Sequence, residues 1–72
     1  MNKSTREKFE VPAWEKYALT INEASCYFHI GDKRLRELIA EDPHAEYLLK
    51  NKDRVLIKRK LFENFLDQQE AI

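Results

Sequence analysis

Apolar positions along the chain fall into short blocks whose spacing switches between helical and alternating. The first clear start is Thr20-Ile21-Asn22-Glu23, which has the form of a capping box: the Thr20 hydroxyl can accept from the Glu23 amide while the Glu23 carboxylate reaches back. A helix is expected from Ile21 to Tyr27 or Phe28, with Ile21, Ala24 and Phe28 on one face and Leu19 just ahead of the cap. After His29-Ile30, either Gly31 or Asp32 can cap a second helix, Lys33 to Glu41, that buries Leu35, Leu38 and Ile39. Asp42-Pro43 stops it, because proline disfavours a helical residue before it.

Strand-forming residues gather at Tyr17-Ala18-Leu19, at Glu46-Tyr47-Leu48-Leu49 and at Arg54-Val55-Leu56-Ile57-Lys58. Lys50-Asn51-Lys52-Asp53 reads as a hairpin turn between the last two. Lys52 stands where the favoured Asn-Gly pair has its glycine. A left-handed lysine costs ~1 kcal/mol, so a longer loop is the competing expectation. Leu61, Phe62, Phe65 and Leu66 form a helical stripe, predicting a last helix from Arg59 to Gln68. Trp14 should pack on the core, and Tyr17, Tyr27, Tyr47 and the four phenylalanines should fill the core or its rim.

The predicted order is strand, helix, turn, helix, hairpin, helix. A hairpin after a helix-turn-helix is the wing of a winged helix. The fold class expected is α+β: a small winged helix-turn-helix domain with a two- to three-stranded antiparallel sheet and a C-terminal helix. The 72 residues allow one domain, and a domain this small buries only ~60% of its unfolded surface. Hydrophobic residues make up 43% and charged residues 36%, enough apolar material for one core and too much for global disorder. Residues 1–10 are polar and read as a flexible extension, leaving 11–72 as the domain. No apolar run is long enough to span a bilayer, and no apolar stretch follows Met1–Arg6 as a secretory signal would require. The single cysteine, Cys26, excludes an internal disulfide and fits a reduced, cytoplasmic setting.

Thirteen basic and thirteen acidic residues give a net charge of zero, but the charges are not evenly spread. Between Lys50 and Lys60 there are six basic residues against one acid, Asp53. Lys33, Arg34 and Arg36 form a second cluster, while Glu41, Asp42, Glu46, Glu63, Asp67 and Glu70 gather elsewhere. A phosphate backbone responds to the local field, so one side of a neutral protein can still face DNA. In that reading the second helix enters the major groove. Lys33, Arg34, Arg36 and Glu37 are its candidate contacts, with the arginines suited to guanine O6 and N7. The alternative is that they are solvated helix residues paired with Glu37 or Glu41. Lys50, Lys52 and Arg54 are the candidate wing contacts, able to reach an adjacent minor groove. Thr20, Lys58, Arg59 and Lys60 are candidate phosphate contacts, although Thr20 is first of all a cap.

Catalysis is not indicated: the sequence has no Ser-His-Asp constellation, phosphate loop or convergent carboxylate pair. Cys26, His29 and His44 match no common zinc spacing, so neither metal nor cofactor is expected.

Leu19-Thr20-Ile21-Asn22-Glu23-Ala24-Ser25, Phe28-His29-Ile30-Gly31 and Leu35-Arg36-Glu37-Leu38 resemble the excisionase-type helix-turn-helix, related to the winged helix of MerR regulators. With Pro12-Ala13-Trp14-Glu15-Lys16-Tyr17, Arg54–Lys60 and Phe62-Glu63, the pattern over residues 11–72 resembles the excisionases of conjugative transposons. The resemblance implies a recombination directionality factor. Such factors bind and bend double-stranded DNA near the ends of a mobile element, often as several copies side by side. They turn a tyrosine-family integrase toward excision and perform no strand chemistry. Two other roles compete with this one. The same fold could serve a small transcriptional regulator. The last helix, with Phe62, Phe65 and Leu66, could instead dock an integrase or a neighbouring copy without any DNA role.

Overall fold

The computed structural model describes residues 11–72; the extension expected at residues 1–10 lies outside them. The capping box closes as expected. The Glu23 amide donates to Thr20 Oγ1 at 3.1 Å, and the Thr20 amide donates to Glu23 Oε1 at 2.9 Å. Helix α1, Ile21–Phe28, follows from that cap, with Ala24 fully buried and Ile21 and Phe28 half-buried beside it. It ends at His29, which adopts φ 59°, ψ 38°. That left-handed conformation usually falls to Gly or Asn. Gly31 has φ −58° and acts instead as the N-cap of the next helix, without a side-chain cap bond. Between them Ile30 plugs the turn into the core.

Helix α2, Asp32–Glu41, buries Leu35 and Leu38 and half-buries Ile39. Its last turn closes with the Asp42 amide donating to the Leu38 carbonyl at 3.2 Å, one residue before Pro43. Three strands make one antiparallel sheet: β1 (Ala18–Leu19), β2 (Leu48–Asn51) and β3 (Arg54–Lys58), in the order β1-β3-β2. Leu19 and Leu48 both lie opposite Ile57, so these three share the core-facing side of the pleat.

Strand β2 begins two residues later than the sequence suggests. Successive turns after Pro43, with the Ala45 amide donating to Asp42 O and the Leu48 amide to Ala45 O, occupy residues 42–48. They direct the Tyr47 ring into the core, where it is 5% exposed. The hairpin is tighter than the longer loop held open above. Asn51 pairs with Arg54, which leaves Lys52-Asp53 as the turn, and Lys52 takes φ 58°.

Helix α3, Arg59–Asp67, closes the core with Phe62, which is fully buried. Phe62 meets Phe28 at 4.9 Å, Tyr47 at 4.7 Å and Phe65 at 5.5 Å between ring centroids. Edge and offset contacts of this kind add ~0.5–1.5 kcal/mol each beyond the area they bury. Phe65 and Leu66 pack half-buried against the same cluster. The charges of α3 run against its dipole. Arg59 and Lys60 lie at the N-terminal end and Asp67 at the C-terminal end, with no acid in the first turn and no base in the last.

Among the described residues two aromatic side chains lie on the surface and not in the core, and Phe9 lies outside those residues. Trp14 sits in a short 3-10 turn, Ala13–Glu15, whose inward residue is Ala13. The indole is 62% exposed. Tyr17 is 72% exposed, because β1 begins only at Ala18 and the strand alternation does not carry its ring inward.

The α1 cap is tied to the entry segment by an ion pair between Lys16 and Glu23. The Lys16 ammonium, and then the Thr20 amide and hydroxyl, hold the Glu23 carboxyl below its ordinary value of 4.5 against the opposing effect of burial. A depressed carboxyl contributes stability above its unfolded value that is lost as pH falls through the folded one. Thermal melts of the wild type should therefore lose more stability than Glu23→Gln does, with the difference arising below about pH 4.5. Thr20→Ala should cost ~1 kcal/mol at neutral pH in urea denaturation.

Candidate nucleic-acid interface

Helix geometry divides the four candidate residues of α2. Arg34 and Arg36 are two positions apart and point about 200° from each other around the axis. Arg36 is exposed and lines a groove of about 270 Å³ with Ile39, with Ile21 of α1, and with Asp53 and Val55 of the hairpin. Lys33, one turn before Arg36, is exposed on the same flank. Arg34 faces the other way. Its Nη1 donates to Glu37 Oε1 at 3.1 Å and approaches Glu41 Oε2 at 3.5 Å, and its Nε donates to the Ile72 carbonyl at 2.6 Å. The pairing with Glu37 and Glu41 that the sequence offered as an alternative describes Arg34 and leaves Arg36 untouched. Glu37, half-exposed, is engaged by Arg34.

The hairpin divides in the same way. Lys50 lies opposite Val55, so the pleat puts Lys50 on the side of the sheet that faces the α2 groove. Asn51 and Arg54 form the next pair and point to the other side. Lys52 stands at the apex, exposed and left-handed. A lysine held in that backbone region marks a position where local strain is tolerated.

The remaining candidates lie elsewhere. Thr20 is committed to the cap. Lys58 is four residues along β3 from Arg54, roughly 13 Å at the rise of a strand. Lys58 and Lys60 line a separate groove with Lys16 and Tyr17. The Arg59 side chain, 14% exposed, bridges the N-terminal segment to α3: Nε donates to Lys16 O at 3.0 Å and Nη1 to Glu63 Oε2 at 3.2 Å. Tyr27 Oη donates to the same Glu63 oxygen at 3.1 Å.

Ile21 and Ile39 pack against the core as the sequence suggests and Val55 lies in its strand, but sequence reasoning did not show that the three also form the apolar floor of the groove. The available signal was Ile39: Leu35 and Leu38 suffice to seat α2, and a third apolar position turns one step toward Arg36. Among the described residues no three His, Cys, Asp or Glu side chains gather as metal ligands would. No helix of the described residues is long and apolar enough to cross a membrane.

One groove is bordered by Arg36 of α2 and by Asp53 and Val55 of the hairpin, and Lys33, Lys50 and Lys52 are exposed on the same two elements. Comparison with known proteins agrees with that geometry. The family model described as excisionase from transposon Tn916 matches residues 1–72. The chain belongs to that family. It is 49% identical over 63 residues to the excisionase from transposon Tn916 of Streptococcus agalactiae serotype V, covering 88% of this chain and 94% of the relative. The protein is thus an excisionase, a recombination directionality factor for a mobile element that carries out no catalysis itself.

For this excisionase the strained apex gives a direct test. Lys52→Gly removes the left-handed penalty of ~1 kcal/mol and should raise the melting temperature by several degrees. The same variant should bind DNA more weakly, so stability and affinity move in opposite directions when a melt and a titration are compared.

Proposed function

We propose that the excisionase binds duplex DNA near the ends of its element with α2 in the major groove and the hairpin tip in the adjacent minor groove. The observation that carries this reading is the shared groove: Arg36 on one wall, Asp53 and Val55 on the other. Lys33, Lys50 and Lys52 extend the cationic surface beyond its rims. An α-helix fits a major groove ~12 Å wide, and a narrow minor groove draws cationic side chains by its concentrated negative potential. The factors that this chain resembles bend the DNA near the ends of a mobile element. Bending of the site is therefore part of the proposal, and a bent end is the form in which a tyrosine-family integrase is turned toward excision. The excisionase acts in the cytoplasm, with several copies side by side on the DNA. Arg36 is the base-reading arginine and Arg34 is a clamp between α2 and the C-terminus.

Arg36→Ala should weaken specific binding by ~1–3 kcal/mol and relax the sequence preference at one position, while Arg34→Ala leaves that preference intact. Lys52→Ala should weaken all sequences alike and lower the slope of log affinity against log salt by ~1. Titrations of the element's own ends at several salt concentrations measure both effects. Equal losses of preference from Arg34→Ala and Arg36→Ala would refute the assignment of faces. Circularly permuted end fragments should migrate anomalously when bound, with mobility lowest where the site is central.

A further inference from the structure

Asp53 is the one acid among the basic residues from Lys50 to Lys60, and it stands on the wall of the groove proposed to receive DNA. A carboxylate there opposes a phosphate backbone. Turn chemistry accounts for part of its presence, since Asp is favoured in tight turns, but Asn would serve a turn as well without the charge. The rest of the account lies across the groove. Arg36 faces the same space of about 270 Å³ from α2, and Asp53 is the only carboxylate among the residues that line it. Both side chains are exposed. Neither makes a side-chain hydrogen bond or an ion pair among the described residues. Glu37 and Glu41 are occupied by Arg34 on the opposite flank. Asp32, one turn before Arg36, lies outside the groove in the first turn of α2, where the helix dipole favours it. Asp53 is therefore the carboxylate that Arg36 meets when it turns into the groove.

We propose that Asp53 is a specificity-determining residue: it competes with DNA for the Arg36 guanidinium and so penalises sequences that lack the right guanine. This rests on the reading of Arg36 as the base-reading arginine. A guanine edge offers O6 and N7 together, and the guanidinium fork satisfies both. An exposed ion pair shifts an equilibrium by about two- to fivefold. A bidentate contact with guanine shifts it by roughly five- to a hundredfold, so at the right site Arg36 stays with the base. The other base edges present at most one acceptor to the major groove beside a donor or a methyl group. At such a site Asp53 is the acceptor left on the protein, and pairing with it withdraws one cation from the DNA. Asp53 also repels the backbone, but that repulsion falls on every sequence alike and changes no preference. The penalty that discriminates is the one exerted through Arg36. Specificity is a difference between two affinities, and lowering the wrong one serves as well as raising the right one.

The experiment titrates the full chain, at one fixed salt concentration, with a duplex carrying a site from the element's end and with a scrambled duplex of the same length. The ratio of the two affinities is the readout. Asp53→Asn keeps a turn-forming residue and should melt like the wild type. It should tighten binding to both duplexes, the scrambled one more, and so lower the ratio by about two- to fivefold, the scale of one exposed ion pair. Asp53→Glu keeps the charge and should keep the ratio close to that of the wild type. Combined with Arg36→Ala, Asp53→Asn should tighten both duplexes by the same factor, since only the backbone repulsion is left to relieve. A ratio unchanged by Asp53→Asn would overturn the proposal and leave the reading of Arg36 standing, as would a ratio lowered just as much in the Arg36→Ala background. A weaker hold on the element's own site in Asp53→Asn would also overturn it, because the carboxylate would then serve the right sequence. If Arg36→Ala alone keeps the wild-type ratio, the base-reading assignment falls and this proposal falls with it.

Discussion

The Phe62 ring is the contact on which the other elements converge. It is fully enclosed, and its neighbours come from three separate parts of the chain: Phe28 at the end of α1, Tyr47 from the turn before β2, and Phe65 from its own helix. In a domain of this size no second core exists to take over, and loss of a large buried aromatic costs ~3–5 kcal/mol, as much as such a core supplies in total. The end of α1, the turn before β2 and the closing helix are therefore held together by one aromatic cluster, and Leu35, Leu38, Leu19 and Ile57 extend the same core to α2 and the sheet. The side chains that meet DNA in the proposed mode inherit their relative positions from it.

Two positions along α2, about 200° of helical rotation, separate an arginine engaged by its own chain from one that borders the shared groove. Arg34 and Arg36 flank the same buried leucine. One finds two glutamates and a backbone carbonyl within its own chain; the other borders the groove shared with the hairpin. The alternation of the strands makes a similar distinction between Lys50 and Arg54. A basic residue in this protein is thus defined less by its charge than by which neighbour the backbone period gives it.

Much of the fold was legible because it is written in local chemistry. The Thr20–Glu23 box, the Pro43 stop and the 61-62-65-66 stripe each act over a few residues, and helices α1, α2 and α3 follow closely from them. What was not legible depends on contacts distant in sequence. Tyr47 has strand propensity, yet the aromatic cluster draws it inward and β2 starts after it. Trp14 has the largest apolar surface in the chain, but a 3-10 turn presents Ala13 to the core in its place. The left-handed bend between α1 and α2 falls on His29 although a glycine stands two residues away, and Gly31 itself takes an ordinary extended backbone as the N-cap of α2. At the candidate site the two basic clusters could be read from the chain, while the division of each cluster between a groove side and an outer side could not. That division requires the registers of a helix and a hairpin that meet only in the folded molecule.

The junction between β1 and α1 has a mechanical consequence. Leu19 is the last residue of the strand, hydrogen-bonded beside Ile57, and Thr20 is already the cap of the helix. No slack separates the sheet from α1, so wing and first helix turn together as one lever. On the other side, α2 joins β2 through residues 42–47, a connection closed by short turns and not by a ladder. In the proposed mode, a duplex that pressed α2 and the hairpin apart would meet the compliance of the molecule in that connection, and the angle between the two would be adjusted there.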